Sequence, residues 1–457
     1  MGIPHAIETL SAVLGDKITT SKSDRDNHGR SESHFSPMPP DAVAYPHSTQ
    51  DVVEILQICH SEHCPVIGFG TGTSLEAQTS APRGGISVDF SHMASVIEVR
   101  PDDRVARVQP GLTRTALNTD LRDTGLFFPV DPGADASIGG MASTRASGTT
   151  TVRYGTMRDN VLGLTVVLAD GTVIKTGTMA AKSSAGYDLT ALFVGAEGTL
   201  GLITELTLKL HSQPEATAAA ICAFSDMGAA VECVQATIQC GIPMARIEFV
   251  DAATAAAFNA YAQTDMPHQP HLMVEFHGSP AAVKTQAQDF GELVTDFGGS
   301  DFQWSTKSED RNRLWAMRHN AYYAILASRK GARAVVTDLC VPLSKLAQAV
   351  EDTRADIADS PIPGPILGHV GDGNFHAILM VDPENAAEKD AALDLSHRMV
   401  ERALALGGTV TGEHGVGLGK LGYMEAEHGA AWATMATLKR SFDPKNILNP
   451  GKLVRIN

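Results

Sequence analysis

The stretch from residue 128 to about residue 160 has neither helical nor strand periodicity in its apolar positions. Long irregular segments inside compact domains are usually functional loops or disordered linkers. This one is rich in small residues and poor in charge, which is not typical of a solvated linker. It is typical of backbone that lies against a ligand, where larger side chains would be in the way. The pattern therefore predicts a chain that folds around a bound molecule.

Two further loops of small residues, 70–74 and 197–201, come before Pro214. The first follows a predicted strand, but its Gly-x-Gly-x-Gly spacing and the lack of a long apolar helix after it do not match the dinucleotide fingerprint. Such a loop can still wrap a pyrophosphate with its backbone N–H groups and hydroxyls, although alone it is equally compatible with an ordinary turn. Three such loops favour a phosphate-bearing ligand, because the packing of a hydrophobic core does not require three loops of small residues.

The pattern changes after Pro214, where predicted strands alternate with predicted helices. This alternation predicts an α+β domain with an antiparallel sheet and helices packed on one side. Predicted strands cover 218–224, 246–250, 272–276 and 335–341, and one long helix is predicted over 308–328. The chain of 457 residues is too long for one hydrophobic core, so more than one domain is expected.

Composition excludes several classes of function. The net charge of −16 argues against nucleic acid and anionic membrane surfaces as main partners. No run of eighteen apolar residues is present, so an integral membrane protein is not expected. The N-terminus shows neither a secretory signal nor a basic amphipathic presequence, and the six cysteines lack metal-type spacing. We therefore expect a cytoplasmic protein, with a peripheral position at the inner membrane left open.

The Asp372-Gly373 pair predicts a two-residue hairpin turn between two apolar runs. His369 and His376 are each three residues from it and would lie directly opposite each other, with Cβ atoms roughly 4.5–5.5 Å apart. That separation suits two imidazoles that share one metal ion, with a third ligand from elsewhere. Glu413 and its neighbour His414 are the obvious suppliers. Two histidines that only hydrogen-bond within the hairpin, and a solvated surface turn at residues 412–415, remain alternatives.

The predicted helix 308–328 carries an arginine among apolar residues. Leu314, Arg318, Tyr322 and Leu326 follow one i,i+4 row. An arginine in such a row either extends its charge to solvent or binds an anion. Both interpretations stay open for Arg318, and Arg333 is a second candidate cation.

Six motifs occur in a fixed order along the chain: PVDPGADAS (129–137), RYGTMRDN (153–160), FVGAEGTLG (193–201), GHVGDGNFH (368–376), GEHG (412–415) and NPGK (449–452). From about residue 40 onward, the chain resembles the FAD-dependent D-2-hydroxyacid dehydrogenases of the vanillyl-alcohol-oxidase-like flavoprotein superfamily. Within that family the resemblance is to the D-lactate dehydrogenase (cytochrome) type.

The resemblance implies an α+β fold, with a two-lobed FAD-binding domain of the vanillyl-alcohol-oxidase type over 41–213 and an α+β cap domain with an antiparallel sheet over 214–410. A lead-in, 1–40, precedes them, and a C-terminal segment, 411–457, completes the FAD site. FAD would be bound non-covalently, since residues 68–78 contain no His or Cys. The implied FAD-binding residues are Gly70, Thr71, Gly72, Thr73, Ser74, Pro132, Gly133, Ser137, Gly140, Ser143, Gly148, Tyr154, Glu197, Gly198, Gly201, Ile203 and Asn449.

The resemblance also assigns an active site. It implies that His369, His376 and Glu413 bind zinc or manganese, that His414 is the catalytic base and that Arg318 binds the substrate carboxylate. Further substrate contacts are implied for Tyr322, Arg333 and His369. Arg333 stands where relatives have a lysine. Ile378 stands where relatives specific for 2-hydroxyglutarate have an asparagine, which favours a smaller and less polar substrate.

The implied reaction is oxidation of a D-2-hydroxyacid, foremost D-lactate to pyruvate, with hydride transfer from Cα to flavin N5. Cytochrome c, a quinone or an electron-transfer flavoprotein would accept the electrons, and a homodimer is an open expectation. Glycolate and D-2-hydroxyglutarate remain alternative substrates. A metal-dependent hydrolase and a non-catalytic flavoprotein subunit remain alternative functions.

Overall fold

The computed structural model describes residues 2–31 and 33–456, which form two compact units. The first unit contains the described residues of Met1–Ser147, Gly155–Gln213 and Glu413–Asn457. The second unit contains Gly148–Tyr154 and Pro214–Gly412. Its short piece, Gly148–Tyr154, comes from the middle of the long irregular stretch.

The first unit contains three sheets among its described residues. A mixed sheet has the strand order Ile18–Thr19, Ala42–Ala44, Ile86–Asp89 and Val66–Phe69, and the last three strands are parallel. An antiparallel sheet has the order Val96–Arg100, Val105–Val108, Leu202–Lys209, Val161–Val167 and Val173–Gly177. Leu126–Phe127 pairs with His211–Ser212.

Amphipathic helices and short helical turns complete the first unit. Thr49–Glu62 begins at Ser48, whose side chain accepts a hydrogen bond from the Asp51 N–H, as an N-cap residue does. Its apolar face packs into the same core as the mixed sheet. The other α-helices are Ile3–Leu14, Lys22–His28, Arg114–Asp120, Ile138–Thr144, Met157–Asn160, Leu189–Phe193, Met424–His428 and Ala430–Phe442.

The second unit is built on a large sheet, with eight strands among the residues described. Its strand order is Ser300–Ser305, Ala216–Ala223, His271–Gly278, Met244–Val250, Ile366–Gly368, Asn374–Val381 and Arg333–Val336, and Leu339–Cys340 also pairs with Asn374–Val381. Every pairing in it is antiparallel. The predicted α+β class with an antiparallel sheet is confirmed.

The helices of the second unit pack on this sheet or connect its strands. They are Thr151–Tyr154, Met227–Gln239, Ala252–Ala262, Pro280–Asp296, Ser308–His319, Ala321–Ala327, Leu346–Ala358 and Ala386–Ala405. Within the described part of the chain, none of the helices combines the length and apolar content needed to cross a membrane.

The long helix predicted over 308–328 is broken at Asn320, which ends Ser308–His319 and precedes Ala321–Ala327. The Asn320 side chain donates to the Ala316 carbonyl at 2.8 Å. Asparagine side chains compete for backbone groups in this way and so disfavour helix interiors. The break interrupts the i,i+4 row between Arg318 and Tyr322. A second difference is Ala430–Phe442, where no helix was predicted.

The hairpin has the predicted face but a different register. His376 lies opposite Leu367 rather than opposite His369, so the prediction of a direct pair was wrong. The turn contains four residues, 370–373, instead of two. Because side chains alternate with a period of two, His369 and Leu367 share one face, and His369 becomes the diagonal neighbour of His376. The two rings remain close, with centroids 5.6 Å apart.

The turn demands glycine at position 373, where φ is +86° and an added Cβ would lie 2.2 Å from the Val341 carbonyl oxygen. We expect Gly373→Ala to lower the Tm more than Gly298→Ala does. Gly298 also has a positive φ but has open space at its Cβ. Both variants should lose about 1–2 kcal/mol through backbone strain, and only the first adds a backbone clash. Thermal melts of the holoprotein test this, and equal losses would contradict it.

Candidate active site

A buried carboxylate in the large sheet connects two of the predicted site residues. Met244–Val250 pairs with the hairpin strand so that Phe249 lies opposite Gly368, and continuing that register places Glu248 opposite His369. Glu248 is fully buried, and its Oε1 lies 2.8 Å from the His369 Nδ1. The antiparallel register therefore brings this carboxylate to the imidazole.

Arg318 approaches the same carboxylate from the last turn of Ser308–His319. Its Nη2 lies 2.6 Å from the Glu248 Oε2, and the side chain is buried. Its Nε is also buried, and no hydrogen-bond acceptor for it is found within the described residues. Leaving a buried guanidinium N–H unsatisfied is unfavourable. An incoming anion, such as a substrate carboxylate, would satisfy it. We call Glu248, His369 and Arg318 the Glu248 cluster.

His376 is held from the neighbouring strands. Its Nδ1 lies 3.0 Å from the Thr337 carbonyl oxygen and 3.7 Å from the Asp338 Oδ1. Asp338 is fully buried and accepts hydrogen bonds from the Asn374 amide at 2.8 Å and the Thr411 hydroxyl at 2.6 Å. A network of buried polar groups thus fixes the orientation of the second imidazole.

These two imidazoles fit a metal site. Metal-binding histidines usually donate the N–H of one ring nitrogen to a carboxylate or a backbone carbonyl, and that bond directs the other nitrogen to the metal. His369 and His376 both show this arrangement at Nδ1, one with Glu248 and the other with Thr337. A metal would accordingly be bound through the two Nε2 atoms, and the donor set suits zinc or manganese.

A second buried carboxylate, Glu275, lies on the same face of the sheet as Glu248. It accepts hydrogen bonds from the Trp315 indole at 2.6 Å and from the His277 Nε2 at 2.7 Å. His277 in turn contacts the Tyr154 hydroxyl at 2.7 Å. Burial acts to raise the pKa of Glu275, but the charge of Arg246 and the bond from His277 outweigh it and lower the pKa. The network holds Tyr154, a predicted FAD-binding residue, in place within the second unit.

The structure does not bring Arg333 to the histidines. Arg333 is exposed at the start of its strand and pairs with Val381. Strand alternation places it on the face opposite to that of Ile378 and His376. Tyr322 is half-buried beyond the helix break and packs its ring against Tyr323 at 5.5 Å.

In the first unit, two small-residue loops meet where Gly70 lies against Ser137. An added Cβ on Gly70 would come within 2.2 Å of the Ser137 Oγ and 4.0 Å of the Gly140 Cα. In the described chain, the backbone N–H groups of 70–74 donate to no protein acceptor, and the Ser74 hydroxyl is buried without a partner. A loop with unused N–H and hydroxyl donors fits the pyrophosphate of FAD.

The third loop joins them through backbone hydrogen bonds. The Glu197 N–H donates to the Ser143 carbonyl at 2.9 Å. The Asn449 side-chain amide donates to the Glu197 carbonyl at 2.7 Å and to the Gln78 carbonyl at 3.2 Å. Lys452 is buried and donates to the Gln78 carbonyl at 2.7 Å. These contacts join five segments of the first unit: 70–74, residue 78, 137–143, 197–201 and 449–452. We call this predicted FAD-binding surface the cradle.

The Glu197 carboxyl accepts hydrogen bonds from the Val416 and Gly417 N–H groups at 2.6 and 2.9 Å. Burial raises its pKa to about 7, although those two bonds act in the opposite direction. Burial also lowers the pKa of Lys452 to about 7, against the nearby charge of Glu197. Both groups therefore titrate near neutral pH.

The remaining predicted residues are placed as follows. In the first unit, Glu413 accepts a hydrogen bond from the Ser147 hydroxyl at 2.7 Å. The Gln78 amide donates to the His414 backbone carbonyl at 2.6 Å. Pro132 is half-buried and Gly133 exposed, and a Cβ added to Gly133 would meet open space. Ile203 is buried in its strand, two residues after Gly201, and Gly198 has a positive φ of 70° in the turn before them. Gly148 belongs to the second unit.

Sequence reasoning missed Glu248, Asp338 and Glu275. A signal for them was present, since each is a single acidic residue within an apolar, strand-like run. A charge at such a position is almost never buried without a partner. It missed Lys452 and Gln78 for another reason: both side chains donate to backbone carbonyls, which no residue pattern reveals.

The model of the FAD linked oxidases, C-terminal domain, matches residues 213–453, and the model of the FAD binding domain matches residues 40–177. The chain belongs to the FAD-linked oxidase family. It is an FAD-dependent oxidoreductase, as the family resemblance implied.

Two relatives of this FAD-linked oxidase are similar over nearly the whole chain. "Probable D-lactate dehydrogenase, mitochondrial" from Danio rerio is 46% identical and the match covers 99% of this chain and 92% of that protein. "D-lactate dehydrogenase [cytochrome], mitochondrial" from Arabidopsis thaliana is 42% identical, with 98% and 80% covered. The fold is shared with 4-ethylphenol oxidase from Gulosibacter chungangensis, at a TM-score of 0.80 and 18% identity over 98% of this chain and 96% of that one.

The prediction of a cytoplasmic location is contradicted, because both relatives are named as mitochondrial proteins. The physical reason is that free thiols and an acidic charge are compatible with more than one compartment. All six cysteines are described and free, as expected in any reducing compartment. An acidic net charge reports on partners, and neither property distinguishes one such compartment from another.

The contact between Gly70 and Ser137 gives a test of the cradle. In Gly70→Ala the new methyl group would displace the Ser137 hydroxyl from its cap on the Gly140 N–H. A lost cap costs about 1 kcal/mol, so we expect FAD to bind roughly five- to tenfold more weakly. Flavin fluorescence titration of the apoprotein measures this. Gly422→Ala, which meets open space, serves as the control. Unchanged FAD affinity in Gly70→Ala would contradict the assignment.

The raised pKa of Glu197 gives a pH dependence. The unfolded chain ionises near the ordinary value of 4.5, whereas the folded chain keeps the proton until about pH 7. The contribution of Glu197 to stability therefore falls as pH rises through this window, by at most about 3 kcal/mol. Glu197→Gln removes this pH-dependent contribution. The Tm of the variant minus the Tm of the native protein should therefore rise by several degrees between pH 5 and pH 8. A difference that stays constant with pH would refute this.

Proposed function

We propose that this FAD-linked oxidase oxidises D-lactate to pyruvate and passes the electrons to a cytochrome. The observation that carries the proposal is Arg318, a buried arginine with an unpartnered Nε, linked through Glu248 to an imidazole suited to metal binding. The names of the two relatives support the choice of D-lactate and of a cytochrome acceptor.

Arg318 would bind the substrate carboxylate. One side of its guanidinium is already paired with Glu248, and the buried Nε supplies a donor for the incoming anion. Arginine suits this role because its planar group presents several N–H donors in fixed directions. The carboxylate would be held at one end, and the α-carbon would be oriented by that contact.

The polar face near the histidines also carries apolar side chains. Ile378 is buried and, by strand alternation, shares its face with His376. Leu367, directly opposite His376, is also buried and apolar. A methyl group fits such surroundings better than a second carboxylate does. This supports lactate over 2-hydroxyglutarate.

A divalent metal, zinc or manganese, would be held by His369, His376 and Glu413. When bound, it would supply Lewis-acid polarisation of the α-hydroxyl and lower the pKa of that group. His414 would accept the proton from the hydroxyl oxygen as general base. Glu248 and the Thr337 carbonyl keep the two imidazoles oriented.

FAD, when bound, supplies the two-electron acceptor that takes hydride from the substrate α-carbon. Oxidation of the hydroxyacid then releases a 2-oxoacid, one hydride to FAD and one proton to His414, so that atoms and charge balance. Contacts of Tyr322 and Arg333 with substrate and association into a homodimer stay predictions.

The test combines a spectrum with substrate discrimination. The purified protein should show a flavin absorbance that D-lactate bleaches anaerobically and L-lactate does not, and it should contain about one equivalent of zinc or manganese. His376→Ala should lose metal and lower kcat/KM by at least about a hundredfold. His397→Ala, on an exposed helix surface, should change it less than about twofold.

Three outcomes would count against the proposal. Protein without a flavin spectrum would exclude the reaction. Faster bleaching by glycolate or D-2-hydroxyglutarate than by D-lactate would show that the substrate is another 2-hydroxyacid. The assignment as an FAD-dependent hydroxyacid dehydrogenase would then stand. Full activity of His376→Ala, or after removal of metal by a chelator, would remove the metal from the mechanism.

A further inference from the structure

The Glu248 cluster places one carboxylate between two residues of different predicted roles. Oε1 of Glu248 contacts the His369 Nδ1 at 2.8 Å, and Oε2 contacts the Arg318 Nη2 at 2.6 Å. Glu248 is fully buried, and the side chains of Arg318 and His369 are 8% and 10% exposed. Neither oxygen of the carboxylate therefore faces bulk water, and each has a separate partner.

The surroundings of the cluster make both contacts rigid. Met273 lies opposite Glu248 on the neighbouring strand, and Met273 and Val250 belong to an apolar core. An ionic group in such surroundings keeps its partners because any rearrangement leaves a charge uncompensated. The position of the Glu248 side chain also follows from the register of its strand, which pairs with Ile366–Gly368.

We propose that Glu248 is a positioning residue that couples metal binding to substrate binding, because one buried carboxylate orients both His369 and Arg318. This inference rests on the proposed function, which assigns His369 to the metal and Arg318 to the substrate carboxylate. Glu248 itself touches neither the metal nor the substrate in this assignment.

Two consequences follow for the partners of Glu248. As an acceptor, it selects the tautomer of His369 with the proton on Nδ1, which leaves the lone pair of Nε2 for the metal. As the counter-charge of Arg318, it holds the guanidinium in one orientation. Loss of the negative charge should therefore weaken the binding of metal and of lactate together.

Glu248→Gln tests the coupling, because it keeps the shape and removes the charge. We expect the Kd for Zn²⁺, titrated into chelator-treated flavoprotein, to rise about 10- to 100-fold. With saturating Zn²⁺, we expect the KM for D-lactate to rise at least about tenfold, with a smaller change in kcat. Glutamine is neutral and no longer counters the charge of the Arg318 guanidinium, which accounts for the effect on KM.

Glu275→Gln is the matched control. Glu275 is a buried carboxylate on the same face of the sheet and contacts the same helix through Trp315, but among the described residues no hydrogen bond or ion pair joins it to His369 or Arg318. A general loss of packing would affect both variants equally. We expect Glu275→Gln to keep the Zn²⁺ Kd and the lactate KM within about threefold of the native values.

A measurement on the native protein covers the case in which Glu248→Gln does not fold. In the zinc-free protein, the ¹⁵N resonances of His369, assigned by comparison with His369→Gln, should show a protonated Nδ1 and an unprotonated Nε2. The opposite tautomer would overturn the inference. So would Zn²⁺ affinity of Glu248→Gln equal to that of Glu275→Gln.

The inference and the proposed function fail in different ways. If the native protein binds no zinc or manganese, the proposed metal site fails. If the native protein binds metal and Glu248→Gln binds it equally well, the metal site stands and the role of Glu248 is refuted.

Discussion

The ion pair between Arg318 and Glu248 constrains the second unit because both side chains are buried. A buried carboxylate without a partner is highly unfavourable, and removal of one partner from a buried pair typically costs about 3–5 kcal/mol. Glu248 avoids this with two partners, Arg318 and His369. The stability of the sheet and the orientation of the site residues therefore depend on the same contacts.

Strand alternation explains how such polar groups occur within a folded core. In Met244–Val250, Ile247 and Phe249 point to one face, and Glu248 points to the other. The apolar face continues across the sheet to Phe276, which packs against Phe290 with ring centroids 5.9 Å apart. A shift of one residue would exchange the faces and bury the charges among these aromatic rings. The aromatic core thus fixes the register that positions Glu248.

The sequence predicted the second unit in outline and part of the site. The antiparallel sheet and the shared face of His369 and His376 followed from periodicity, which is a local property. The register did not, because the Asp372-Gly373 pair fits a four-residue turn as well as a two-residue turn, and the pattern of residues does not distinguish the two. The break at Asn320 was missed for a related reason, since its side-chain bond to Ala316 competes with a strong helical pattern. Partners such as Glu248 and His369 are far apart in the chain, and no pattern of spacing reveals them.

In the first unit, the loops could be predicted from the sequence, but the hydrogen bonds that join them could not. Its three loops were recognisable because backbone that binds a ligand requires small residues at many positions, as at Gly70. The bonds that join the loops were not recognisable, because Lys452 and Asn449 contact backbone carbonyls, which every residue possesses. Burial moves the pKa of Lys452 toward neutrality, which is tolerable only because three oxygen acceptors surround its Nζ. Two sets of residues thus determine the structure of this cradle. Small residues leave room for the ligand, and buried hydrogen-bond donors hold the loops in place.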